Sequence, residues 1–206
     1  NKRDITNLTS LINRISSELD KIRLWTELTF NAIFSNQIDL AKSFYNNHIF
    51  PIIQNNINHN YKIQSIIDSL IVMHYFNTEL AIEHLEKLPL NDKEDACIRI
   101  SDFYLTNKSP FEIYEGEKNS DNTNYDSIFK AVNILKLVET DNIIFIILND
   151  ICNSLKESKL INDAQKIDIK NRLSELINKN LPDKNNIVHN GYKILASAQI
   201  ENIIKN

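Results

Sequence analysis

The chain has 206 residues, 42% of them apolar and 24% charged, with a formal net charge of −4. That length and balance describe a folded chain with a sizeable core and exclude a disordered one. The negative charge argues against a nucleic-acid surface, which needs a positive footprint. Two glycines, Gly116 and Gly191, are too few for a phosphate-cradling loop, a dinucleotide-binding turn or a turn-rich β fold.

Apolar residues recur at helical spacing along nearly the whole chain, and no segment alternates with period two. The spacing predicts helices over 5–19, 21–35, 38–55, 61–76, 78–88, 92–106, 125–138, 141–157, 162–180 and 187–204. Pro51 should bend or break the third, because proline removes a ladder hydrogen bond and its ring collides with the preceding turn. Asn77-Thr78, Asn91-Asp92, Asp141 and Asn162 offer side-chain acceptors to the orphan N–H groups of helix starts. Pro89 and Pro182 follow helix ends, where they cannot continue the ladder. Asp92, Glu94 and Asp95 share a first turn, where carboxylates complement the helix dipole.

The longest apolar run, "IIFIIL" at 143–148, falls far short of the ~20 residues that span a bilayer, so no membrane insertion is expected. Cys97 and Cys152 sit in apolar or helical surroundings, as buried free thiols of a reducing compartment would. The expected location is therefore cytoplasmic, with a removed leader or secretion as the alternative.

A shift of 40 positions lays "DLAKSFYNNHIFP" (39–51) over "ELAIEHLEKLPLN" (79–91), so that Asp39 meets Glu79, Leu40 meets Leu80 and Ala41 meets Ala81. A fainter copy follows, in which Ala131, Leu135 and Val138 repeat the pattern of Ala81, Leu85 and Leu88. A small alanine early in a helix, in helix pairs that recur at this period, resembles the tetratricopeptide-like α-solenoids. The resemblance implies an all-α, right-handed superhelix of antiparallel helix pairs, about ten helices in all. It divides into an N-terminal block (1–106), an acidic insertion (107–124) and a C-terminal block (125–206) of one continuous array.

The same shift interprets the histidines. His84 falls on Phe44, His48 on Leu88 and His74 on Phe34, which makes them packing residues. Glu79, Glu83 and Glu86 then point outward. No histidine pair stands at i and i+4, no Glu-x-x-His occurs and no adjacent His-Asp occurs, so helical zinc, di-iron and phosphohydrolase sites lack their ligands. No cofactor, metal or catalytic residue is assigned. Lys166, Lys170 and Arg172 interleave with Asp163, Asp168 and Glu175, the pattern of a solvated face rather than a nucleic-acid site.

The stretch "NKSPFEIYEGEKNSDNTNYD" (107–126) interrupts the pattern with two aromatics in an acidic context. Long loops in helical arrays often carry function, so Phe111, Glu112, Tyr114, Glu115 and Glu117 are the candidate partner contacts. The expected function is a non-enzymatic module that binds a protein or peptide. The competing expectation is an all-α nuclease or hydrolase with a dispersed site.

Overall fold

Every regular element among the described residues is helical. The computed structural model describes residues 2–56, 64–108, 110–111, 123–181 and 187–203. The helices are α1 (Lys2–Asn13), α2 (Glu18–Phe34), α3 (Ile38–Phe44), α4 (Phe50–Asn56), α5 (Gln64–Phe76) and α6 (Thr78–Leu85). They continue with α7 (Leu90–Thr106), α8 (Tyr125–Leu135), α9 (Asp141–Glu157), α10 (Asp163–Asn180) and α11 (Ile187–Glu201). The expected all-α class is thus what the chain adopts. A π-helical segment, Tyr45–Ile49, joins α3 to α4.

That segment is the chain's answer to Pro51. Proline cannot donate to the carbonyl one turn back, and its ring needs room there. The helix widens just before it: the Phe50 N–H donates to the Tyr45 carbonyl, five residues back rather than four. The expected break is therefore a local widening, and the helix runs on to Asn56.

Asparagine does work that glycine does in other chains. After α2, Asn36 takes φ 57°. Its N–H reaches the Ile33 carbonyl at 3.0 Å, and that of Gln37 reaches Ala32 at 2.8 Å. This pair of bonds is a Schellman closure, in which a left-handed residue satisfies the last carbonyls of a helix. Asn107 takes φ 52° after α7, its N–H reaching the Phe103 carbonyl at 2.9 Å. Asn77 caps α6 through Leu80 N–H (3.1 Å) and Asn124 caps α8 through Ser127 N–H (2.9 Å). Asn162 closes a full capping box with Gln165.

Two of the expected caps are corrected. Asn91 and Asp92 lie inside α7, which begins one residue earlier at Leu90. Asp141 is already helical; Thr140 precedes α9 and makes no side-chain cap. The cap comes from α7 instead. Glu94, 5% exposed, accepts hydrogen bonds from the N–H groups of Thr140 (2.8 Å) and Glu139 (3.3 Å). Its carboxylate serves the positive end of α9 rather than only that of its own helix.

The chain divides into two compact units, Asn1–Asp92 and Lys93–Asn206. In the first unit, α2 packs against α3 and α5, and α5 packs against α6. Ile66, Ile67, Leu70, Ile71, Val72 and Met73 of α5 are all buried, as a helix enclosed on several sides requires. Helices α3 and α6 begin 40 residues apart, at Ile38 and Thr78, and Ala41 and Ala81 are both fully buried.

In the second unit, contacts recur at nearly constant spacing, which sets the helix directions. Tyr125 meets Asp168 and Phe129 lies against Arg172, so α8 and α10 run parallel. Asp141 meets His189, Phe145 meets Tyr192 and Asn149 meets Gln199, so α9 and α11 do the same. Glu94 meets the start of α9. At the other end, the buried Thr123 donates to the Leu105 carbonyl (2.6 Å) and accepts from Ser158 (2.5 Å). Helices α7 and α9 are therefore parallel as well. α8 packs against α9, its antiparallel chain neighbour, and against α10, and Ala131, Leu135 and Val138 are buried.

Candidate functional site

Leu8, Leu11 and Ile12 of α1, with Ile15 just past its end, follow the i, i+3, i+4, i+7 spacing of one helical stripe. Opposite it, α2 presents Leu24 and Leu28, one turn apart. Between the two helices lies an apolar cavity of about 260 Å³ lined by these residues, with Glu27 and Asn31 on the α2 side. Leu8 is 39% exposed and Leu11 59%, so the cavity opens as a groove to solvent. Its position depends on where α1 stops. α1 ends at Asn13, and Ser17 caps α2 by accepting from Asp20 N–H at 3.3 Å. The sequence reading ran the first helix on to 19 and missed the groove, although Ser17-x-x-Asp20 is a helix-start signal.

Of the candidate partner contacts, Phe111 is half-buried and follows the buried Pro110. Glu112, Tyr114, Glu115 and Glu117 lie outside the described residues.

The described histidines have packing surroundings. His48, in the π segment, stacks on Trp25 with ring centroids 3.8 Å apart and planes 4° apart. His74 is 1% exposed. His84 is buried at 9% exposure, and neither ring nitrogen has a hydrogen-bond partner among the described residues. Glu79, Glu83 and Glu86 are exposed beside it. Burial, and then the charge of Lys87, lower the His84 pKa from its ordinary 6.5, with Glu83 acting the other way. Burial lowers that of His48 as well.

These shifts carry a stability consequence. A histidine whose folded pKa lies below its unfolded value favours the fold fully above about pH 6.5, and that contribution is lost as pH falls towards the folded pKa. Replacing His84 by Phe is therefore expected to leave the fold intact at pH 7, or to raise its stability by up to about 1–2 kcal/mol as an unsatisfied polar ring is removed. It should also flatten the loss of stability between pH 7 and pH 5. Chemical denaturation of both proteins across that range measures the difference, and an unchanged pH slope would remove His84 as its source.

The second unit holds further polar pairs that sequence reasoning did not find. His189, 2% exposed, bonds through Nδ1 to Asp141 at 2.5 Å, tying α11 to the start of α9. No local signal joins residues 48 apart. The Lys166–Arg172 face is mixed and paired: Lys170 meets Glu201 at 3.0 Å and Arg172 meets Asp168 at 2.7 Å. Hydrogen bonds from Arg172, and then from Tyr125, hold the Asp168 carboxyl below the usual range. Cys97 and Cys152 are fully buried, and burial pushes both thiols up to about 12, which makes them poor nucleophiles. No helix among the described residues is long and apolar enough to cross a membrane.

Comparison with known proteins finds no matching family model, curated protein or solved structure.

Proposed function

We propose that the chain is a non-enzymatic helical-repeat module, built on tetratricopeptide-like helix pairs, that binds a protein or peptide. The observation that carries this reading is the open aliphatic groove between α1 and α2. Six leucines and isoleucines line a cavity of about 260 Å³, a surface suited to the apolar face of an amphipathic helix. Glu27 on its side favours a partner helix with Lys or Arg beside its apolar anchors. The parallel stacking of α7, α9 and α11, and of α8 and α10, supports the repeat reading. Phe111, Glu112, Tyr114, Glu115 and Glu117 are a second proposed partner contact. A reducing, cytoplasmic setting fits the two buried free thiols.

The test is a comparative capture from the native cell with the wild-type chain and with Leu11→Glu. Leu11 is exposed, so the substitution should leave the circular dichroism spectrum unchanged. A protein retained by the wild type and lost with the variant is the expected result. Equal retention by the two would overturn the groove as the binding site.

A further inference from the structure

We infer that a cavity between α7 and α9, within the second unit, binds a primary alkylammonium group. Its volume is about 120 Å³, and Asp102, Leu105 and Thr106 of α7 line it together with Asp150, Ser154 and Glu157 of α9. The first observation is charge. Three carboxylates border one small space, Asp102 and Asp150 half-buried and Glu157 exposed, and no cationic side chain lines it among the described residues. Helices α7 and α9 run parallel and end beside the cavity, at Thr106 and Glu157, so the negative ends of two helix dipoles add to the carboxylates. The last turn of α7 holds no basic residue to offset them. That of α9 holds Lys156, which does not line the cavity.

The second observation is an unpartnered hydroxyl in the wall. Ser154 is 5% exposed, lines the cavity and makes no side-chain hydrogen bond among the described residues. A hydroxyl on a helix can return to the carbonyl of the preceding turn, as that of Thr106 does to Asp102 at 2.7 Å. The Ser154 hydroxyl makes no such bond. The three carboxylates have other interactions as well; this hydroxyl has none. A buried hydroxyl without a partner costs stability, and a donor placed in the cavity satisfies it.

The third observation selects the kind of cation. Among the described residues, no three carboxylate, histidine or cysteine groups are placed to hold a metal ion. Acceptors spread in this way suit a ligand whose donors diverge. An ammonium group carries three N–H donors and no acceptor, enough for Asp102, Asp150 and the Ser154 hydroxyl. Liquid water takes about 30 Å³ per molecule, so the cavity holds the head group with its first methylenes. Leu105 gives those methylenes an apolar contact. Lysine side chains of proteins and free polyamines both carry this group.

Titration of the whole chain with n-butylammonium chloride, followed by backbone amide NMR at neutral pH and constant chloride, tests this. Saturable shifts at 102–106 and 150–157 are expected, with millimolar affinity. Tetramethylammonium has the charge but no N–H donor, and should bind about tenfold more weakly. Asp150→Asn should weaken butylammonium binding by about tenfold and Ser154→Ala by about threefold, each with an unchanged helical spectrum. A blocked lysine and cadaverine share the same stem and head group, so the tighter binder of the two separates a protein lysine from a free polyamine as the source. The absence of a saturable shift at these residues, equal binding of tetramethylammonium, or unaltered affinity in either variant would overturn the inference. None of these outcomes depends on the α1–α2 groove, which Leu11→Glu tests separately.

Discussion

Replacing Glu94 by alanine is expected to destabilise the chain by about 2–3 kcal/mol, and to lower its melting temperature by about 5–10 °C. The carboxylate is buried and accepts from two N–H groups at the start of α9. Each is a charge-assisted bond worth about 1.5–3 kcal/mol, offset by the cost of keeping a carboxylate from water. Alanine leaves the N–H groups of the half-buried Thr140 and of Glu139 without that acceptor. Glu94→Gln keeps one acceptor oxygen and should lose about half as much, because the charge at the helix end disappears while a bond remains. The neighbouring ion pair of Lys93 with Glu139 does little to replace it, since Glu139 is 67% exposed. Thermal melts of the two variants check the expectation. A Glu94→Ala protein that melts with the wild type would show that water or another group caps α9.

Ala81→Leu and Ala131→Leu should each cost about 1–3 kcal/mol through overpacking. Both alanines are fully buried, one on α6, which packs against α5, and the other on α8, which packs against α9 and α10. A leucine there must push the partner helix away or leave its rotamer well. Glu83→Leu on the exposed face of α6 is the control and should change stability by less than about 0.5 kcal/mol. If Ala81→Leu melts with the control, the close helix contact at Ala81 is not tight, and its equivalence to Ala41 carries no structural weight.

Local chemistry was legible in the sequence wherever it was sufficient. Helix α9 has the limits expected of it, because an apolar period of 3.6 starts and stops cleanly at Asp141 and Glu157. The buried alanines followed from the 40-residue shift, which needs only side-chain size. What the sequence hid depends on partners distant in the chain. Glu94 looks like any first-turn acid until α9 places its N-terminus 46 residues away against it. The pairing of His189 with Asp141 is of the same kind. The π segment was hidden for another reason: Pro51 announces a disturbance, yet whether a helix kinks or widens is decided by packing, here of Tyr45 on Phe76 and of His48 on Trp25. The groove was missed through one misplaced boundary, at Ser17.

The central claim, that the α1–α2 groove holds a helix of a partner protein, is most directly measured by photo-cross-linking in the native cell. A photoreactive side chain placed at Leu11 is compared with one placed at Glu83, which is exposed but lies on α6. A covalent adduct is expected from position 11 to one helical segment of one protein, rich in apolar residues at i, i+3 or i+4, and i+7, and no such adduct from position 83. Equal labelling from both positions, or an adduct from position 11 only to scattered abundant proteins, would contradict it.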